Sequence, residues 1–117
     1  MSYITAEEWE LSSLFGVEPK RLDPGVPWPY NDFVYEVQQS EMSLSVTVAP
    51  ACKDVRIILK SGSVSLYELN AVKVSDMKYH NDNGRETLEV IITPRDRLWL
   101  RVHPSIYISH AVSERDT

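Results

Sequence analysis

The side chains in this sequence best suited to hold a metal ion or pass a proton are His80, His103, His110 and Cys52. Their spacing argues against a prebuilt centre. The stretch from His103 to His110 contains Pro104 and no acid, and neither HExxH nor CxxC occurs, so the common zinc patterns are missing. Histidines at strand ends and turns are ordinarily solvated or held by one hydrogen bond, so no metal and no cofactor is expected. Cys52 stands beside Lys53, which favours a thiolate, but the expectation is a half-buried structural cysteine. As the sole cysteine it forms no internal disulfide.

Other reactive patterns fail on spacing. The four glycines, at 16, 25, 62 and 84, are too scattered for a phosphate-cradling loop or a nucleophile elbow. Asn81-Asp82-Asn83-Gly84-Arg85-Glu86 has the composition of a calcium loop but not its ligand spacing, and strands rather than helices flank it. It reads as a hairpin turn, since Asn-Gly supplies positive φ. Seventeen acids offer many carboxylate pairs, but none is singled out to face another with a separated pKa. No catalytic residue is assigned.

One group of residues fits recognition better than catalysis. If Leu98, Leu100 and Val102 point inward along a strand, Trp99, Arg101 and His103 point outward. Inward Ile106 and Ile108 likewise leave Tyr107 outward. If those two strands form a hairpin, Trp99, Arg101, His103 and Tyr107 share a face, and Trp, Tyr and Arg are the types enriched at binding hot spots. Trp28 and Tyr30 are further candidates. Each of these aromatics has a structural alternative, packing against the core.

These residues must be positioned by a mainly β fold. A helix is expected over about residues 6–15. Thr5 and Glu8 have capping-box spacing, Ile4 and Trp9 staple spacing, and Gly16 suits a left-handed C-terminal cap. Trp9, Leu11, Leu14 and Phe15 supply its apolar side. Residues 17–32 hold Pro19, Pro24, Pro27 and Pro29, which bar a helix or central strand; the aromatic content predicts a segment lying across the sheet. From Phe33 the period becomes two: Phe33/Tyr35/Val37, Leu44/Val46/Val48, Val55/Ile57/Leu59, Leu88/Val90/Ile92 and Leu98/Leu100/Val102. Over 71–79 the phase slips, with Val72 and Val74 on one side and Met77 and Tyr79 on the other, as at a β-bulge. Short connections favour antiparallel neighbours. The expected architecture is an antiparallel β-sandwich or partly open barrel of seven to eight short strands over about 33–110. A short polar tail, 111–117, follows, all within a single domain.

The net charge is −5 and sits at one end: residues 1–40 hold seven acids against two bases, and the remainder balances. This disfavours nucleic acid, whose phosphates require clustered Lys/Arg, and suits a basic protein partner or simple solubility. No apolar stretch is long enough to span a bilayer and no leader is visible, so a cytoplasmic protein is expected. In size, acidity and lack of catalytic motif the chain is similar to bacterial immunity proteins that neutralise basic toxins, although no motif carries that likeness residue by residue. Sequence alone does not determine a function. The leading reading is a non-enzymatic protein-binding or regulatory module. The second is a small-molecule or carbohydrate binder stacking on Trp28, Tyr30 and Trp99, and the third an enzyme with a fold-assembled histidine base. A homo-oligomer hiding its own outer sheet face completes the set.

Overall fold

The period-two alternation folds into antiparallel strands, and the chain turns where the alternation stops. The computed structural model describes residues 3–28 and 30–113. Among them are one helix, α1 (Glu8–Phe15), and nine strands: β1 (Lys20–Arg21), β2 (Phe33–Gln39), β3 (Met42–Ala49), β4 (Asp54–Ser61), β5 (Val64–Ala71), β6 (Asp76–Asp82), β7 (Arg85–Thr93), β8 (Asp96–Arg101) and β9 (Tyr107–Val112). They form two meanders, a five-stranded sheet β1-β2-β3-β4-β5 and a four-stranded sheet β6-β7-β8-β9. The sheets pack as a sandwich rather than closing into a barrel. Residues 114–117 of the expected polar tail lie outside the described residues, and Ala111 and Val112 belong to β9.

The inner positions meet as the alternation requires. Phe33, Tyr35, Leu44, Val46, Val48, Val55 and Ile57 from the first sheet are fully buried against Met77, Leu88, Val90, Leu98 and Leu100 from the second, with Val102 just past β8 in the same core. Burying one such side chain contributes about 1.5–3 kcal/mol, so these rows dominate the stability. One polar atom is caught among them. The Tyr35 hydroxyl is buried with no hydrogen-bond partner among the described residues. That burial pushes it up to about 12; Ser12 pulls the other way without reaching hydrogen-bonding geometry.

The helix forms where expected but caps itself differently. Thr5 does not cap it: its N–H donates to Asp76 Oδ1 over 2.7 Å and its hydroxyl bonds the same carboxylate. A charged acceptor on β6 outcompetes the local cap because charge-assisted bonds are roughly twice as strong. The capping box moves two residues on, to Glu7 and Glu10. Ile4 is buried, but Trp9 is 62% exposed, so no staple joins them. Advancing about 100° per residue puts Leu11, Leu14 and Phe15 on one arc and Trp9 roughly 160° from Leu11. Gly16 ends the helix at φ 70°, as expected, and a Cβ there would stand 3.0 Å from the His103 imidazole.

Two segments differ from expectation. Residues 17–32 pack Val17 and Trp28 against the core but are not wholly irregular. They contribute the edge strand β1, paired with Val34 and Phe33 of β2, which brings the strands from the expected seven or eight to nine. Asn31 organises the rest: its Oδ1 accepts from the Asp23 and Asp32 N–H groups, and its Nδ2 donates to the Asp23 and Val26 carbonyls. The phase slip over 71–79 is no bulge but the crossover between sheets. Val74 is buried, Val72 is exposed, and the Val74 and Ser75 N–H groups bond the Lys53 and Ile91 carbonyls. The register shifts occur instead at Leu59/Lys60 and Ile91/Thr93. The Asn83-Gly84 hairpin forms with φ 53° and 87°.

Candidate functional site

The outer face of the second sheet is built around its central strand. β7 sends Leu88 and Val90 inward and Thr87, Glu89 and Ile91 outward. Register places Trp99 of β8 opposite Glu89, with Ser109 of β9 and Lys78 of β6 in the same row. One step along lies the row of His80, Thr87, Arg101 and Tyr107. Glu89 is only 8% exposed although its side chain points away from the core, because long neighbours close over it. His80 Nε2 donates to Glu89 Oε1 over 2.9 Å and Arg97 donates to Oε2 over 2.8 Å. A carboxylate this enclosed is tolerable only because both oxygens are matched by donors.

Beside this network lies the aromatic part of the face. Arg101 Nε donates to Thr87 Oγ1 over 3.0 Å, and its guanidinium lies 5.2 Å from the centroid of the Tyr107 ring. Trp99 and Arg101 are half-buried and Tyr107 is 48% exposed. Arg97 and Trp99 continue into a shallow groove of about 370 Å³ completed by Pro94, Ala111 and Val112. The β8–β9 loop is tied to the first sheet by Gln39, whose amide donates to the Val102 carbonyl and accepts from the Ile106 N–H.

Of the residues singled out from sequence, Trp99, Arg101 and Tyr107 share this face. His103 does not. β8 ends at Arg101, the chain turns through a cis bond before Pro104, and the imidazole sits over Gly16. Trp28 is half-buried with its ring 4.7 Å from that of Phe33, while Tyr30 is 57% exposed. The two therefore offer no shared platform with Trp99, which stands on the other sheet. The histidines stay apart: His80 pairs with Glu89 on β7, and His110 pairs with Asp96 on β8. Among the described residues no group of three or more His, Cys, Asp or Glu could hold a metal. Cys52 is exposed rather than half-buried.

Sequence reasoning missed Glu89 and Trp9. An acid inside Leu88-Glu89-Val90-Ile91-Ile92 was the visible sign of the first. The second stands exposed on α1, its indole N–H donating to Glu7 and its ring edge-on to Tyr79. The opposite face, over Ser43, Ser45 and Ile58, is an open groove of about 380 Å³ of mixed polar and apolar lining, edged by Glu36, Gln38 and Lys60.

A solved structure shares this architecture. The chain is similar to a chain of the contact-dependent growth inhibition toxin–immunity protein complex from Klebsiella pneumoniae 342. The two share 19% identity with a TM-score of 0.76, over 97% of this chain and 100% of that one. The likeness is one of fold. No family model matches the sequence, and no curated protein does. No helix among the described residues is long and apolar enough to cross a membrane.

Two carboxylates tie the face and its support to pH. Burial alone would raise Glu89, but the bonds from His80 and Arg97 outweigh it and hold it below the usual range. At Asp76 burial is likewise outweighed, by the Thr5 hydroxyl and N–H, the Met77 N–H and Lys53. A depressed folded-state pKa contributes stability above the unfolded value, near ~4, and loses it as pH falls through the folded value. The urea midpoint should therefore hold from pH 7 to 5 and drop steeply below about 4. In Glu89→Gln part of that drop should vanish.

Proposed function

We propose that this chain is a non-enzymatic protein-binding module, of the immunity-protein kind, that seats its partner on the outer face of β6–β9. The observation that carries the reading is Trp99 at the middle of that face, flanked along the strand by Arg97 and Arg101, with Tyr107 beside them. Aromatic and arginine side chains already held in place lose little freedom on binding, which is why such clusters become hot spots. The fold likeness to a chain from a toxin–immunity complex supports a protein as the partner. A carbohydrate platform is weakened by the separation of Trp28 from Trp99.

A second surface has an observation of its own. Trp9 stands exposed among Glu7, Glu8 and Glu10, the chemistry that suits a basic partner. Hydrogen exchange on the complex with a partner purified from the source cell separates the two. Slowed exchange in β8 and β9 supports the sheet face. Slowing confined to α1 moves the interface to the helix and overturns the proposal.

A further inference from the structure

The charges on the outer face of β6–β9 run against those of the molecule. The chain carries −5 overall, yet the middle of this face presents Lys78, Arg97 and Arg101 around Glu89, the other acids of its β6 side, Asp76 and Asp82, lying at the two ends of that strand. Glu89 is already matched by Arg97 and His80. Arg101 is different. Its Nε is spent on Thr87 and its plane rests by Tyr107, but among the described residues no carboxylate pairs with it. The guanidinium thus presents its terminal nitrogens from a fixed position beside Trp99.

A guanidinium fork held this way fits a planar carboxylate through two parallel bonds, and an aromatic neighbour excludes water from the pair. We infer that Arg101, set by Thr87 and Tyr107, is the seat for an aspartate or glutamate side chain of the protein partner, with Trp99 covering the pair. This rests on the proposed use of the face and names the chemistry that the face selects. A nucleic acid would present phosphates to the same fork, but a long polyanion meets the −5 charge of the whole protein. A single carboxylate within a protein surface meets only the local cations.

The test uses the ¹⁵N-labelled full chain and a blocked tetrapeptide containing glutamate, with its glutamine counterpart and inorganic phosphate as comparison probes. The acidic peptide should shift the Arg101 Nε–H and Trp99 indole N–H signals together, and the glutamine peptide should bind about tenfold more weakly. The shifts should shrink as salt rises. They should disappear in Arg101→Gln and survive only in part in Arg101→Lys, which keeps the charge without the fork. Equal shifts from both peptides, shifts centred on other lysines or arginines, or tighter binding of phosphate than of the acidic peptide would each overturn the inference. With a purified partner the two proposals part company. If Trp99→Ala weakens the complex while Arg101→Gln changes neither affinity nor salt dependence, the face stands and the carboxylate seat falls. If neither variant weakens it, the face itself is wrong.

Discussion

Replacing Phe15 with alanine should remove about 3–5 kcal/mol of folding stability, a large share of the ~5–15 kcal/mol that holds a typical domain together. Phe15 is 1% exposed, and its ring stacks on Tyr35 with centroids 4.7 Å apart. Truncation loses the transfer energy of the ring, the aromatic contact and the close packing around it, since a rigid sandwich collapses only partly into the space. Trp9→Ala on the same helix provides the contrast. That side chain is largely in water, and its loss should cost less than about 1 kcal/mol. Urea denaturation of both variants checks the pair. Near-equal small effects would mean that α1 is an appendage rather than part of the core, contrary to the burial of Leu11, Leu14 and Phe15.

The strands were legible because a half-buried sheet writes its geometry into a period of two. Leu44, Val46 and Val48 are buried and Ser43, Ser45 and Thr47 are not, as their alternation demands. The helix was legible from its C-terminal glycine and its apolar arc. What escaped was whatever a distant residue decides. Thr5 has the spacing of a cap, but Asp76 lies 71 positions away in the chain, beyond any local pattern. The slip over 71–79 marks a change of sheet, and a bulge and a crossover disturb the alternation in the same way. Glu89 looked like one acid among seventeen until the register set it opposite Trp99 and between His80 and Arg97.

The charge of the chain reads differently once it is folded. The acids of the first third fall on α1 and the β1–β2 edge, where Glu8 pairs with Arg21 and Glu36 with Lys20. Of the cations in the later strands, Lys78, Arg97 and Arg101 stand on the outer face of β6–β9, while Arg56 and Lys60 belong to the first sheet. A uniform acidity would suit a basic partner at any point on the surface. On the proposed use of the face, long-range steering and short-range fit would respond to different charges.

Trp99→Ala should weaken the partner complex by about 2 kcal/mol or more, roughly thirtyfold in Kd, mostly through faster dissociation. Two features of Trp99 set this magnitude. It stands at the centre of the face rather than its rim, and it sits opposite Glu89 in the β7–β8 register, so its loss should also open the Glu89–Arg97 pair to water. Wetting that pair should lower folding stability by no more than about 1 kcal/mol, since solvated ion pairs contribute little. Affinity and stability would therefore move by very different amounts. Trp28→Ala should do the reverse: its ring lies against Phe33, so truncation should destabilise the fold and leave the partner's Kd within about twofold, below ~0.5 kcal/mol. Calorimetric titration of the partner, run beside urea denaturation of each variant, reads both quantities. If Trp28→Ala costs more affinity than Trp99→Ala, the partner is held at the β1–β2 edge and the outer face of the second sheet has another use.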